Sequence, residues 1–329
     1  MKVIVGITTY NLDKYISQTL NSVLAQKTDF DYKIVVADDC SEDETVNILL
    51  DYQKKYPSKI EIMLSEKNRG SLANSNRILD KINCTYFSFL DGDDFWIDEN
   101  KLQKQVDFLD TRTEYSMCAG NTEYVGEIPH NKLLRSNSEL DKSYSFHDFI
   151  NGKMPFFHTS SILFRNSIFI NGLPKCYFES IGTFEDCALR GEDFRRILHL
   201  EKGSLYAFKD TFSCYRIHSK GIWQGSTNVH RIIESAIATN FYKKYFENLY
   251  GNYFKRQAQI SYRNMIIHLL VEEDLGNKYK LTKKDSFLLL SYLKDIRIEC
   301  NEMEKENIWN RIKKKNLKRL YKVLFHDIG

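Results

Sequence analysis

The chain predicts an α/β protein: a mostly parallel, Rossmann-like sheet flanked by helices, followed by a helical C-terminal region. Three observations carry this reading. Over the first 90 residues, four short apolar runs of strand length alternate with longer segments whose apolar residues recur at helical spacing. The first, second and fourth runs stop on polar or acidic residues, the pattern of strands that deliver side chains to one edge of a sheet. From about Asn228 onward glycine becomes scarce, and apolar residues such as Ile266, Ile267, Leu270 and Val271 recur at helical spacing.

Taken in order, Val3 to Ile7 reads as a buried strand that ends in the polar turn Thr8-Thr9-Tyr10-Asn11. Lys14 to Gln26 carries Ile16, Leu20, Val23 and Leu24 on one helical face, and Asn11 or Asp13 can cap its start. Ile34 to Ala37 is a second strand ending on Asp38-Asp39. Ser41-Glu42-Asp43-Glu44 has the spacing of a capping box, and Val46, Leu49 and Leu50 continue a helix that Pro57 ends. Ile60 to Leu64 is a third strand, Lys67 to Gly70 a loop, and Leu72 to Ile82 a third helix. Tyr86 to Leu90 is a fourth strand that stops on Asp91, Asp93 and Asp94 around Gly92. Strand and helix in this alternation make a right-handed parallel βα array.

Three carboxylates so close raise one another's pKa unless a cation or hydrogen bonds compensate. Hard oxygen ligands of this kind suit Mg2+ or Mn2+, which take their remaining ligands from water and substrate phosphates; an acidic surface turn is the plain alternative. No G-x-G-x-x-G follows the first strand and no G-x-x-x-x-G-K-[ST] occurs. A metal held by Asp93 or Asp94 neutralises a diphosphate without a glycine nest. An Asp-x-Asp-x-Thr phosphatase loop is excluded, because Phe95 stands where its Thr belongs.

Composition narrows the classes. The 329 residues are 42% hydrophobic and 28% charged, ordinary for a globular protein that builds its own core. With 47 basic against 44 acidic residues, nothing global points to nucleic acid. Seven scattered cysteines without a C-x-x-C pair predict reduced thiols in a cytoplasmic protein. The apolar stretch at the N-terminus is too short for a signal peptide, and no run approaches the ~18 apolar residues of a membrane span.

VIVGITTYN, the SVLAQ of Ser22 to Gln26, IVVADDCSEDET and FLDGDDFW resemble, in order and spacing, the N-terminal half of family 2 glycosyltransferases, which have the GT-A nucleotide-sugar-binding fold. The resemblance implies that Thr8 and Tyr10 border the nucleobase, that Asp39 accepts a hydrogen bond from uracil N3, and that Asp91, Asp93 and Asp94 form the D-x-D region for ribose and metal. One departure stands out. The family often has Ala-Arg-Asn in the third helix, where this chain has Asn74-Ser75-Asn76, so a basic contact to the diphosphate is missing there; Arg69 is the nearest substitute.

Further on, Phe156 to Arg165 resembles a segment that lines the family's sugar pocket; His158 reads equally as a satisfied strand histidine. GEDFRRILHLEKG resembles the Glu-Asp motif, which implies Asp193 as general base and Glu192 as the group that orients the acceptor. Acidic residues also favour helix starts for dipole reasons alone, and Glu185-Asp186 is a rival pair. Tyr215-Arg216-Ile217-His218 resembles a segment leading into a loop over the donor, with His218 either a metal or diphosphate contact or a solvated bystander. Trp223 between Gly221 and Gly225 suits a closing lid. Ile308 to Phe325 is a basic amphipathic stretch that either lies on an anionic membrane or packs as a helix with a solvated lysine face.

The expected organisation is a GT-A catalytic domain over residues 1–227, with a nucleotide-sugar half at 1–98 and an acceptor half at 99–227, followed by a helical region at 228–329. The expected function is metal-dependent, inverting transfer from a UDP-sugar, with Mn2+ or Mg2+ as cofactor, to a hydroxyl of a glycan or lipid-linked saccharide in cell-surface polysaccharide synthesis. The expected place is the cytoplasm, with contact to the inner membrane face through 308–325 and oligomerisation left open. The alternatives are a non-catalytic nucleotide-sugar-binding module and a sugar nucleotidyltransferase, whose Gly-rich, Lys-containing first loop this chain lacks.

Overall fold

The computed structural model describes residues 1–127, 132–219, 221 and 228–271. The chain divides into two compact units, one of Met1–Ile181 with Leu189–Ser219, the other of Gly182–Ala188 with Lys220–Gly329.

In the first unit, β1 (Val3–Thr9), β2 (Tyr32–Asp38), β3 (Ile60–Leu64) and β4 (Tyr86–Asp91) lie parallel in the order β3-β2-β1-β4. They are joined through α1 (Ile16–Leu24), α2 (Thr45–Lys55) and α3 (Ser71–Leu79), the array read from the sequence. Val3, Val5, Ile7, Ile34 and Val36 are buried and pack with Ile16, Leu20 and Val23 of α1, as expected of parallel strands covered by helices.

The chain continues through β5 (Phe95–Trp96), α4 (Lys101–Thr111), β6 (Tyr115–Gly126), β7 (Lys132–Leu133), β8 (Lys142–Tyr144) and α5 (Phe146–Ile150). A 3-10 turn at Thr159–Ser161, β9 (Leu163–Arg165), α6 (Cys176–Glu179), α7 (Glu192–Leu200) and β10 (Ser204–Ile217) complete the unit. β9 lies antiparallel between β4 and β6, β6 and β10 run parallel, and β5 closes the path beyond β10. The short strands β7 and β8 pair with β6 and β10.

Two expected caps differ. Neither Asn11 nor Asp13 caps α1, whose first position follows Tyr15 without a side-chain bond. Asn11, at φ 54, instead accepts the Glu42 N–H at 2.8 Å, and the Asp13 N–H donates to Asp43 at 3.2 Å. Pairing of β1 with β2 sets the two following loops side by side, so Asn11 and Asp13 bond across to the second loop rather than capping α1. The Ser41 to Glu44 box does not form either: Ser41 Oγ donates to Asp38 and accepts the Asn11 N–H, and Glu44 precedes α2 without a side-chain cap.

The second unit contains a 3-10 turn at Phe184–Ala188, α8 (Asn228–Tyr245) and α9 (Glu247–Val271), the last broken at Tyr250. Tyr242 donates its hydroxyl to Ala188 O at 2.9 Å, and Phe246 stacks on Phe254 at 4.9 Å. The rival acidic pair Glu185-Asp186 belongs to this unit, in that 3-10 turn. The helical expectation for the C-terminal region holds over 228–271. Trp223, Gly225 and the basic stretch at 308–325 lie outside the described residues. Among the described residues, no helix is long and apolar enough to cross a membrane.

Candidate active site

Register builds the site. Thr8 of β1 stands opposite Asp91 of β4, and Thr9 opposite Asp38 of β2, so three strands end at one edge. Thr8 Oγ1 donates to Asp91 Oδ1 at 3.1 Å. The chain turns at once after Asp91: the Gly92 N–H donates to Thr8 O at 2.9 Å and the Asp94 N–H to Asp91 O at 3.0 Å. A Cβ at Gly92 would stand 3.1 Å from Thr8 O and 3.0 Å from Leu12 Cδ1, close enough that a neighbour would have to give by a few tenths of an ångström. From α1, Thr19 Oγ1 sits 2.8 Å from Gly92 O and 2.7 Å from Asp94 O, its one proton serving either carbonyl.

The adjacent carboxylates Asp93 and Asp94 face different surroundings. Asp94 is fully buried; Oδ1 accepts the Arg216 N–H at 2.9 Å, and His158 Nδ1 lies 3.7 Å from Oδ2. Asp93 Oδ2 lies 3.0 Å from Nε2 of His218. His218 is only 4% exposed and rests 4.8 Å from the Tyr15 ring, so the solvated reading of this histidine does not hold. Arg216 clasps the turn: Nε donates to Asp93 O at 2.9 Å, Nη2 to Gln18 Oε1 at 2.6 Å, and the guanidinium lies over Tyr15 and Phe95.

Electrostatics follow from this crowding. Water reaches Asp91, yet protein surrounds it, and that loss of hydration together with the Asp93 charge pushes its carboxyl up to about 7. Burial, then Asp93 and Asp91, raise Asp94 well above the usual carboxylate range. Burial lowers His158, against the opposing pull of Glu192 and Asp93. His158 sits just before the 3-10 turn rather than in a strand, with Nδ1 2.8 Å from Ser160 Oγ.

Toward β3, Asp39 is buried, and its carboxylate accepts the Arg69 N–H at 2.8 Å and the Gly70 N–H at 2.9 Å. Gly70, at φ 87, precedes α3. A carboxylate has about four acceptor positions, so Asp39 keeps room for a ligand donor. The Arg69 side chain is exposed, with Nε 3.2 Å from Ser65 Oγ, and Tyr10 is 43% exposed. Asn74 and Asn76 are buried and structural: their Nδ2 groups donate to Ala37 O at 2.8 Å and to Tyr177 O at 2.6 Å.

The first turn of α7 supplies Glu192 and Asp193. Glu192 is hydrogen-bonded to Thr159; burial works against its charged form, but Arg196, His158 and that bond outweigh it and lower its pKa. Asp193 is largely open to solvent and pairs with Arg196; the surrounding protein and Glu192 nevertheless raise it. The Glu192 charge is felt at Asp91, which ties α7 to the strand-end carboxylates. Among the described residues, no three His, Cys, Asp or Glu side chains form a ready-made metal cage. The donor set that does occur, Asp93 beside His218 with Asp91 close by, fits a hard divalent ion whose shell substrate oxygens complete.

Residues 4–173 match the profile of Glycosyl transferase family 2. The chain belongs to this family. An uncharacterized protein of Mycobacterium tuberculosis is 27% identical over 218 residues, covering 66% of this chain and 59% of that one. The Escherichia coli protein WfgD, a UDP-Glc:alpha-D-GlcNAc-diphosphoundecaprenol beta-1,3-glucosyltransferase, is 30% identical over 140 residues, covering 39% of this chain and 53% of that one. The chain thus spans between half and three fifths of the length of these relatives. Staphylococcus aureus TarS 1–349, solved in complex with UDP, superimposes with a TM-score of 0.50 at 19% identity over 90% of this chain and 88% of that one, a likeness of fold. The family 2 match and this likeness make the sheet a GT-A fold.

The family profile covers the strand-end carboxylates and stops before α7. Two features of the site were not visible from the motifs. Arg216 serves as a clasp on the Asp93-Asp94 backbone, and Arg195 is buried at 3% exposure with its guanidinium 4.3 Å over the Phe89 ring. The available signal for the second was a pair of adjacent arginines between Phe194 and Ile197 in a short helix.

Proposed function

We propose that the chain transfers a sugar from a UDP-sugar, with inversion, to a hydroxyl of a glycan or lipid-linked saccharide in cell-surface polysaccharide synthesis. The observation that carries this reading is the meeting of Asp91 and Asp93 with His218 at the strand edge, within electrostatic reach of Glu192 at the start of α7. The UDP in TarS and the UDP-Glc in the WfgD name support the choice of nucleotide.

Asp39 accepts from the base, Thr8 and Tyr10 border it, and Arg69 stands at the rim beside them. Asp93 and His218 hold Mn2+ or Mg2+, while Asp94, tied to the Arg216 N–H and sealed from solvent, sets the turn rather than taking the ion. When bound, the ion supplies positive charge to the leaving diphosphate. Asp193 takes the proton from the acceptor hydroxyl as that oxygen attacks the anomeric carbon opposite the diphosphate, a role its solvent-open position allows. Glu192, fixed by Thr159, orients the acceptor. Titration calorimetry with UDP tests the donor half: binding with Mn2+ present and loss in EDTA support it, and no binding under either condition rejects it.

A further inference from the structure

Arg195 is buried at 3% exposure, yet its Nε and Nη1 have no hydrogen-bond partner, and among the described contacts its guanidinium meets only the face of Phe89, 4.3 Å away. A buried cation whose Nε–H and Nη1 N–H groups have no acceptor is costly, and such a group calls for an explanation. A ring face compensates only part of that cost.

Its place suggests the missing partner. Phe89 and Asp91 are two apart on β4 and share a face, and Glu192 and Arg195 are three apart on α7 and share another. The Arg195 charge accordingly reaches the Asp91 carboxylate and lowers its pKa. On the same side of the sheet, Ile78 of α3 and Phe89 pack together over Gly6. That is the neighbourhood of Ser75, where this chain lacks the basic residue often found in the third helix. The guanidinium therefore neighbours both the strand-end carboxylates and the helix turn that carries Glu192 and Asp193, the two sides of a sugar if diphosphate and acceptor flank it.

We propose that Arg195 is a donor-sugar specificity residue, whose unpartnered N–H groups bind an oxygen substituent of the transferred sugar. This rests on the donor reading above and deepens it. The residues assigned above to the uridine and the metal do not include Arg195, so its loss separates sugar binding from nucleotide binding.

The test compares wild type with Arg195→Met, using calorimetry and thermal unfolding with Mn2+ and each of UDP, UDP-glucose, UDP-N-acetylglucosamine and UDP-glucuronic acid. The expected result is a wild type that binds one UDP-sugar more tightly than UDP. In the variant, UDP binding stays within about twofold while the preference for that sugar falls by about tenfold or more. The ligand-free variant is at least as stable as wild type, because a buried unpaired charge has gone. A preference that survives in the variant, an equal loss of UDP affinity, or a wild type that binds UDP and every UDP-sugar alike overturns the assignment. If the wild type binds neither UDP nor any UDP-sugar, the donor reading itself fails, and this inference with it. Arg195→Lys, which keeps the charge and loses the planar fork, carries the same comparison if the Met variant does not fold.

Discussion

Nε2 of His218 lies 3.0 Å from Oδ2 of Asp93, joining the end of β10 to the turn after β4 across 125 residues of sequence. Arg216, two residues earlier, holds the same turn through Asp93 O and the Asp94 carboxylate. One strand end therefore fixes where the Asp93 carboxylate points. Replacing His218 by Ala is expected to weaken Mn2+-dependent UDP binding by about 10- to 100-fold while leaving the metal-free protein folded, as loss of a ligand or its supporting bond does. Calorimetry in Mn2+ and in EDTA checks both halves.

The strand-end carboxylates predict a pH dependence. Asp91, ordinarily at 3.8, is held up at about 7 by the hydration it loses to the surrounding protein and by Asp93, so the folded protein binds a proton that the unfolded chain releases. The stability this contributes is complete below about pH 4 and is lost as pH rises through about 7. Without metal, the melting temperature is expected to fall across that window, and Asp91→Asn to flatten the fall. Metal competes with the proton, so Mn2+-dependent UDP binding rises over the same range.

Asp39 has a structural duty beside its proposed one. Its carboxylate accepts the Arg69 and Gly70 N–H groups ahead of α3. Asp39→Ala is expected to cost about 0.5–2 kcal/mol of stability, as loss of a cap does, and to weaken binding of uridine itself. Urea unfolding and uridine titration measure the two effects separately.

Gly92 lets β4 turn against β1. The Cβ in Gly92→Ala would meet Thr8 O, Thr9 Cβ and Leu12 Cδ1 at 3.0–3.1 Å, so the turn shifts by a few tenths of an ångström. The expected outcome is a marked loss of UDP affinity with a smaller loss of stability, since the displaced groups are those of Asp93 and Asp94 rather than of the core.

The βα array from Val3 to Asp91 was legible because each strand is an apolar run and each helix a periodic one, both local signals. The capping roles of Asn11 and Ser41 were not, because β1–β2 pairing sets which loop each side chain meets. Nor does sequence separate Asp93 from Asp94: adjacent carboxylates look alike until β10 arrives to take Asp94 inside. β9 between β4 and β6 is another long-range fact, three residues whose partners lie on distant strands. Asp193, Glu192 and His218 were singled out by resemblance alone; the fold adds what each touches.

Asp193 is proposed above as the base of an inverting transfer from a UDP-sugar. The measurement that meets it most directly is UDP release with a saccharide acceptor and Mn2+, with the anomeric configuration of the product read by NMR, for wild type and Asp193→Asn. Turnover with inversion, a fall of about 10²–10⁴-fold in kcat for the variant, and nearly unchanged UDP binding are expected if Asp193 is the base. A product of retained configuration, or a variant as active as wild type, contradicts it.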